Sequence, residues 1–158
     1  MTHTVGISEY HVSNRWDDVI VTYSLGSCIG VTVFDPVARV GGMVHCLLPL
    51  SQLDPAKAQQ RPAMFADTGI AMLLTSVYEL GAQRDRLVAK LAGAARMLDE
   101  SGTFRIGERN HLVATKMLQK NGVRVAKEDV GGTIARTLYL HLDGGRTVIR
   151  SRGQEWDL

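Results

Sequence analysis

A nucleophilic thiol and an imidazole stand close together in one stretch of this chain. Val19–Pro49 reads V-I-V-T-Y-S-L-G-S-C-I-G-V-T-V-F-D-P-V-A-R-V-G-G-M-V-H-C-L-L-P, with Cys28 after a Gly-Ser pair and His45 seventeen residues later. A free cysteine has a pKa near 8.5, so only about 3% is thiolate at pH 7. An imidazole that takes the thiol proton supplies the nucleophile and can later protonate a leaving amine. A third group must hold the ring in one tautomer, and the hydroxyl of Thr22 is a candidate on the preceding strand. The backbone N–H groups around Gly26 and Ser27, at the tight turn before Cys28, are candidates for stabilising an oxyanion.

The elements that position these residues are three β-branched-rich runs, Val19–Leu25, Ile29–Phe34 and Val40–Leu48, separated by Gly26-Ser27 and by Asp35-Pro36. Asp35-Pro36-Val37-Ala38 suits a type I turn. A hairpin closed symmetrically on it sets Asp35 opposite Ala38 and Cys28 opposite His45, within cross-strand contact. A slip of one residue would separate the two side chains onto opposite faces. The same register puts Ile29, Val31 and Val33 with Val44, Cys46 and Leu48 on the buried face, so Cys46 reads as an inert core thiol. Cys28 and His45 face the other way. On spacing alone, an unreactive cross-strand Cys–His pair stands beside the catalytic reading.

Around this stretch the pattern predicts a first strand at Val5–Val12 and a polar, mobile connection or lid at Ser51–Arg61. A helix is expected over Ala63–Leu80, opened by Pro62 and capped by Gly81, with Gly69 marking a close packing contact. A strand at Arg86–Leu91 and a loop at Asp99–Thr103 precede a second helix at Ile106–Asn121. Strands at Val123–Asp129, Thr133–Leu142 and Arg146–Ser151 complete the order, the last two joined by Asp143-Gly144-Gly145. Hairpins mixed with two main helices imply an α+β fold: one domain over residues 1–158, a mainly antiparallel or mixed sheet layered with the helices, and residues 152–158 as a loose tail.

Composition narrows the function. The 158 residues carry a formal net charge of +2 without a basic block, which argues against nucleic-acid binding. No apolar run reaches the roughly 18–20 residues of a membrane span, and no signal-peptide pattern opens the chain, so a cytoplasmic protein without membrane insertion is expected. Two cysteines on opposite strand faces do not form a disulfide framework. No metal site or cofactor is expected: Cys-x-x-Cys, His-x-x-x-His, Walker and G-x-G-x-x-G patterns are all missing from the sequence. His3 and His11 read as surface or strand-edge residues, His111 and His141 as structural ones.

Thr22-x-x-Leu25-Gly26-Ser27-Cys28, Asp35-Pro36 and Gly42-x-x-His45-x-x-Leu48-Pro49 together resemble the chemoreceptor glutamine deamidase (CheD) family. The resemblance continues through Phe65-Ala66-Asp67, Leu80-Gly81-Ala82, Lys90-Leu91 with Gly93, Ile106-Gly107-x-x-Asn110 and Glu128-Asp129-x-Gly131-Gly132. It implies a fold like that of bacterial toxin deamidases, with Cys28 as nucleophile, His45 as base and acid, and Thr22 orienting the histidine. The implied reaction hydrolyses glutamine side chains in the cytoplasmic part of methyl-accepting chemotaxis receptors, giving glutamate and ammonia. It also implies a CheC-type phosphatase as partner, with phosphorylated CheY feeding into that exchange. Ala92, Ala94 and Ala135 depart from the family's usual Phe, Gly and Gly; none of these removes a catalytic group. The alternative is a non-catalytic module that regulates a receptor or phosphatase by binding, and such a module would need none of the three residues.

Overall fold

The structure, a computed structural model, describes residues 1–97 and 105–158; the expected loop at Asp99–Thr103 lies outside them. β3 (Val19–Leu25), β4 (Ile29–Asp35) and β5 (Val40–Cys46) form where the three β-branched runs predict them. They do not share one sheet. β3 belongs to a sheet ordered β1-β3-β8-β9-β10, and β4 and β5 to a second ordered β2-β5-β4-β6-β7. The remaining strands are β1 (Thr2–Thr4), β2 (Glu9–Ser13), β6 (Val88–Gly93), β7 (Arg124–Val130), β8 (Arg136–His141), β9 (Thr147–Ser151) and β10 (Gln154–Asp157). Both sheets are mixed: β1 runs parallel to β3 and β7 parallel to β6, and the other pairs are antiparallel.

The second sheet is buried on both faces, which is why every residue of β4 and β5 is buried. Ile29, Val31, Val33, Val44 and Cys46 meet Ile70, Leu73 and Val77 of α2 (Ala66–Glu79) and Ala114 and Leu118 of α3 (Ile106–Lys120). On the opposite face Cys28, Phe34, Met43 and Ala92 meet Ile20, Leu25, Leu138, Leu140 and Ile149 of the first sheet. The layers are therefore sheet, sheet, helices, an α+β arrangement with two main helices. The expectation that the Cys28–His45 face lies away from the core is corrected: it is the interior of a sandwich.

Other corrections follow from local chemistry. The strand expected at Val5–Val12 forms only from Glu9 on, as β2; residues 5–8 connect it to β1, with Ser8 at a left-handed φ of 63° and Gly6 N–H bonded to Glu9 Oε1 at 2.8 Å. Ser51–Arg61, expected as a mobile connection or lid, holds a 3-10 turn and the short helix α1 (Pro55–Gln60), capped by Asp54, whose carboxylate accepts from Lys57 N–H at 3.1 Å. Pro62 opens a 3-10 turn that leads into α2. Residues 154–157 are no loose tail but strand β10, antiparallel to β9. Trp156 Nε1–H donates to Asp129 Oδ2 at 2.7 Å, and Lys90 Nζ donates to the backbone oxygen of Leu158 at 2.7 Å.

Two glycines behave as their positions demand. Gly81 has φ 107°, and the N–H groups of Gly81 and Ala82 return to Tyr78 and Val77 carbonyls, closing α2. A Cβ on Gly69 would sit 2.8 Å from Cys46 Sγ, so α2 presses against β5 directly over the second cysteine. Among the described residues, no helix is long and apolar enough to cross a membrane.

Candidate active site

The β4–β5 hairpin closes two residues later than the symmetric turn predicts. Asp35 pairs with Val40, Gly30 with His45 and Ile29 with Cys46. Four residues, Pro36–Arg39, make the connection, and Arg39 adopts φ 58° and donates its N–H to Asp35 O at 2.8 Å. Asp35 holds this loop closed: its Oδ1 accepts from Val37 and Ala38 N–H, and its carboxylate also binds Gln83 N–H and Arg86. Those donors hold the carboxyl at about 2 against the opposing effect of burial. Cys28 therefore does not face His45 directly. A slip of two preserves the strand's alternation, however, so both side chains still lie on the inter-sheet face, at diagonal positions.

β3 delivers the third residue from the other sheet. Its pairing with β8 is regular through Thr22 and shifts before Leu25, with Ser24 at φ 58°. This bulge turns the chain out of the first sheet and through Gly26-Ser27-Cys28 into the second. Thr22 and His45, both buried, meet across the seam with Thr22 Oγ1 2.6 Å from His45 Nδ1. Thr22 Oγ1 also lies 2.7 Å from Val5 O, which can only accept, so the single hydroxyl proton goes there. His45 Nδ1 must then carry the ring proton and donate it to Thr22. Nε2 keeps the lone pair; it is buried and has no hydrogen-bond partner. The tautomer is thus set by a carbonyl two bonds away. The His45 backbone is held as well, its carbonyl accepting from Ser8 N–H at 2.9 Å.

The cysteine turn is anchored through all three of its carbonyls. Gly26 O accepts from Ala95 N–H at 2.8 Å and Cys28 O from Ala94 N–H at 2.7 Å. Ser27 O accepts from Asn110 Nδ2 at 2.9 Å, and the same amide nitrogen donates to Leu47 O at 3.1 Å. Asn110, fully buried on α3, therefore ties the turn before Cys28 to the residue two beyond His45. It enters the sequence reading only as part of a family pattern. The available signal was an amide in line with Ala114 and Met117 on an apolar helix face. Gly93 has to be glycine, since its φ is 104° and a Cβ there would lie 2.5 Å from Cys28 O. The small residues at 92–95 thus bring their backbone directly against the cysteine turn.

Electrostatically the site at rest is neutral. Burial pushes the Cys28 thiol up to about 11, its own backbone N–H opposing the rise. Burial alone lowers His45 to about 4. No hydrogen bond joins Cys28 Sγ to His45 Nε2. Burial thus favours the neutral thiol and the neutral imidazole on this shared face. Cys46, wholly buried on the helix side of the sheet, is raised further by burial and is set apart from the site by its face.

Comparison with known proteins identifies the family. Residues 47–151 match the profile of the family described as "CheD chemotactic sensory transduction". A protein of Syntrophus aciditrophicus named "Probable chemoreceptor glutamine deamidase CheD 1" is 46% identical over 94% of this chain and 93% of its own length. Relatives of the same name type from Solibacter usitatus and Pyrococcus horikoshii are each 45% identical, over 98% and 92% of this chain and 91% and 90% of their own lengths. On the family profile and on these full-length relatives, the chain belongs to the CheD family.

Proposed function

We propose that this protein is a chemoreceptor glutamine deamidase that works through Cys28, His45 and Thr22. The observation that carries the reading is the Val5–Thr22–His45 relay, which fixes the imidazole with a free Nε2 on the face that Cys28 shares. A structural histidine would use both nitrogens; this one reserves a lone pair where a proton acceptor is needed.

The reaction follows from that arrangement. As a glutamine side chain enters, Nε2 takes the Cys28 proton and Sγ bonds to the amide carbon, whose C=O electrons move to oxygen. A trans peptide points each N–H away from the preceding C=O. The Gly26 and Ser27 carbonyls are tied inward to Ala95 and Asn110, so the N–H groups of Ser27 and Cys28 face the opposite side, where an oxyanion would form. The imidazolium then gives its proton to the amide nitrogen, the C–N bond breaks and ammonia leaves a thioester. Water attacks the thioester with Nε2 as base, releasing glutamate and the free thiol. Thr22 supports the imidazolium in both halves. No metal or redox partner is needed for atoms and electrons to balance.

The substrate is the cytoplasmic part of a methyl-accepting chemotaxis receptor, and a CheC-type phosphatase is the expected regulatory partner. Mass spectrometry of receptor fragments after incubation tests this: glutamines at defined sites should become glutamates with wild-type protein and not with Cys28→Ala. Normal conversion by Cys28→Ala would refute the enzyme reading, and binding without conversion by the wild type would establish the non-catalytic module in its place.

A further inference from the structure

We infer that His3, His11 and Asp18 form a binding site for a divalent transition-metal ion, best suited to zinc, that clips the two sheets together at their N-terminal edge. His3 lies on β1 of the first sheet and His11 on β2 of the second, while Asp18 ends the loop before β3. One ligand atom from each comes within 4.8 Å of the other two. The fold, not sequence spacing, brings them together, which is why no metal motif is visible in the chain. All three also lie outside the segment that matches the family profile.

The chemistry of the donors is specific. Two imidazoles and one carboxylate suit zinc and its neighbours, not magnesium or calcium. Tetrahedral bonds of about 2.0–2.1 Å put ligand atoms roughly 3.3 Å apart. His3 Nε2 and Asp18 Oδ2 already stand 3.0 Å apart. The His3 and His11 rings stack at 4.1 Å between centroids, and both are half-buried. Asp18 is 2% exposed, and its Oδ2 is oriented by Ser13 Oγ–H at 2.6 Å, the outer contact that metal-binding carboxylates ordinarily receive. Its other oxygen, Oδ1, is buried without a hydrogen bond, with the N-terminal ammonium 3.3 Å away and Arg15 Nε 3.8 Å away. Imidazole nitrogens from two different sheets, gathered within 4.8 Å of one buried carboxylate, make a ligand set that strand packing alone does not require.

The clip would act where the active site is held. Val5–Ser8 joins β1 to β2, and it supplies the carbonyl that fixes Thr22 and the N–H that fixes His45. A metal on His3 and His11 would fasten both ends of this connection.

The test is calorimetric titration of untagged, chelator-treated full-length protein with zinc, beside magnesium as control, followed by X-ray absorption of the zinc complex. Expected are one saturable zinc site, no magnesium binding, and a first shell of nitrogen and oxygen without sulfur. His3→Gln and His11→Gln, both at half-exposed positions, should each weaken zinc at least about tenfold while the fold persists. Zinc should raise the melting temperature of the wild type and not of the double variant. No saturable binding, a sulfur ligand from Cys28, or affinity unchanged in the double variant would each overturn the proposal. These readouts do not involve deamidation, so they stand or fall apart from the enzymatic reading.

Discussion

Replacing Thr22 with valine keeps the β-branched shape and removes one oxygen, so it isolates the hydrogen bond that sets the histidine. In the folded protein Thr22 Oγ1 accepts from His45 Nδ1–H at 2.6 Å and donates to Val5 O at 2.7 Å, with no exposure to water. Valine leaves both partners buried and unpaired, at about 1–3 kcal/mol each in stability. The kinetic consequence is separate. During turnover the ring becomes an imidazolium, and a hydrogen bond to a charged group is worth about 1.5–3 kcal/mol. The neutral bond already present at rest is worth about 0.5–1.5 kcal/mol, so losing the surplus of about 1–1.5 kcal/mol should slow the chemical step by roughly 5- to 13-fold, at about 1.36 kcal/mol per decade. Thr22→Ser, which restores the oxygen, should recover most of the rate, whereas Cys28→Ala and His45→Ala should fall to background, and their combination no lower. Single-turnover deamidation of a receptor fragment, with each variant first checked for cooperative unfolding, measures this. A Thr22→Val rate within about twofold of wild type would refute the relay, since a bond of the stated strength cannot be lost so cheaply. A rate as low as that of Cys28→Ala would make Thr22 part of the chemistry itself.

Four further outcomes are expected. Cys28 should alkylate slowly near neutral pH and faster as the pH approaches about 11, with Cys46 unlabelled until the protein unfolds; peptide mapping after timed iodoacetamide exposure reports it, and faster labelling of Cys46 would contradict the assigned faces. Asn110→Asp replaces the donor to Ser27 O and Leu47 O with an acceptor, so denaturant titration should show a loss of about 2–4 kcal/mol and turnover should fall even where the protein is folded. Acid should destabilise the protein in two steps. His45 is lowered in the fold, so the unfolded chain binds its proton first, and about 3 kcal/mol is lost as pH falls from about 6.5 to about 4; Asp35, also lowered, adds about 2 kcal/mol lost between about 4 and 2. Melting temperature against pH in His45→Gln and Asp35→Asn should lack the corresponding step. Ala94 sits at φ 51°, so Ala94→Gly should raise stability by up to about 1 kcal/mol in urea unfolding, and a clear loss would show that this strain is absent.

Much of the site was legible because the relevant signals are local. β-branched runs broken by Gly26-Ser27 and Asp35-Pro36 locate β3, β4 and β5, and strand alternation alone puts Cys28 with His45 and Cys46 behind them. The register was off by two because nothing in an arginine announces the left-handed conformation that Arg39 takes in the four-residue loop. Parity survived because both turns contain an even number of residues. The second sheet was invisible for a different reason: alternation shows that a strand has two faces, not what covers each of them. β10 escaped notice because its exposed polar residues carry no pattern, and its order comes from β9, Asp129 and Lys90, all distant in sequence. Asn110 had a readable signal, a polar side chain on an apolar helical stripe, but its two acceptors become neighbours only after folding.

The Thr22–His45 bond joins two strands that belong to different sheets. It is therefore also a gauge of how those sheets sit. A ring proton held in so short a contact resonates far from the crowded part of a proton spectrum, and its position follows the donor–acceptor distance. Anything that slides one sheet over the other, whether a docked receptor, a regulatory protein or an ion at the N-terminal edge, lengthens or shortens that contact. One resonance can thus report, in solution and without substrate turnover, which binding events reach the chemistry and which stop at the surface.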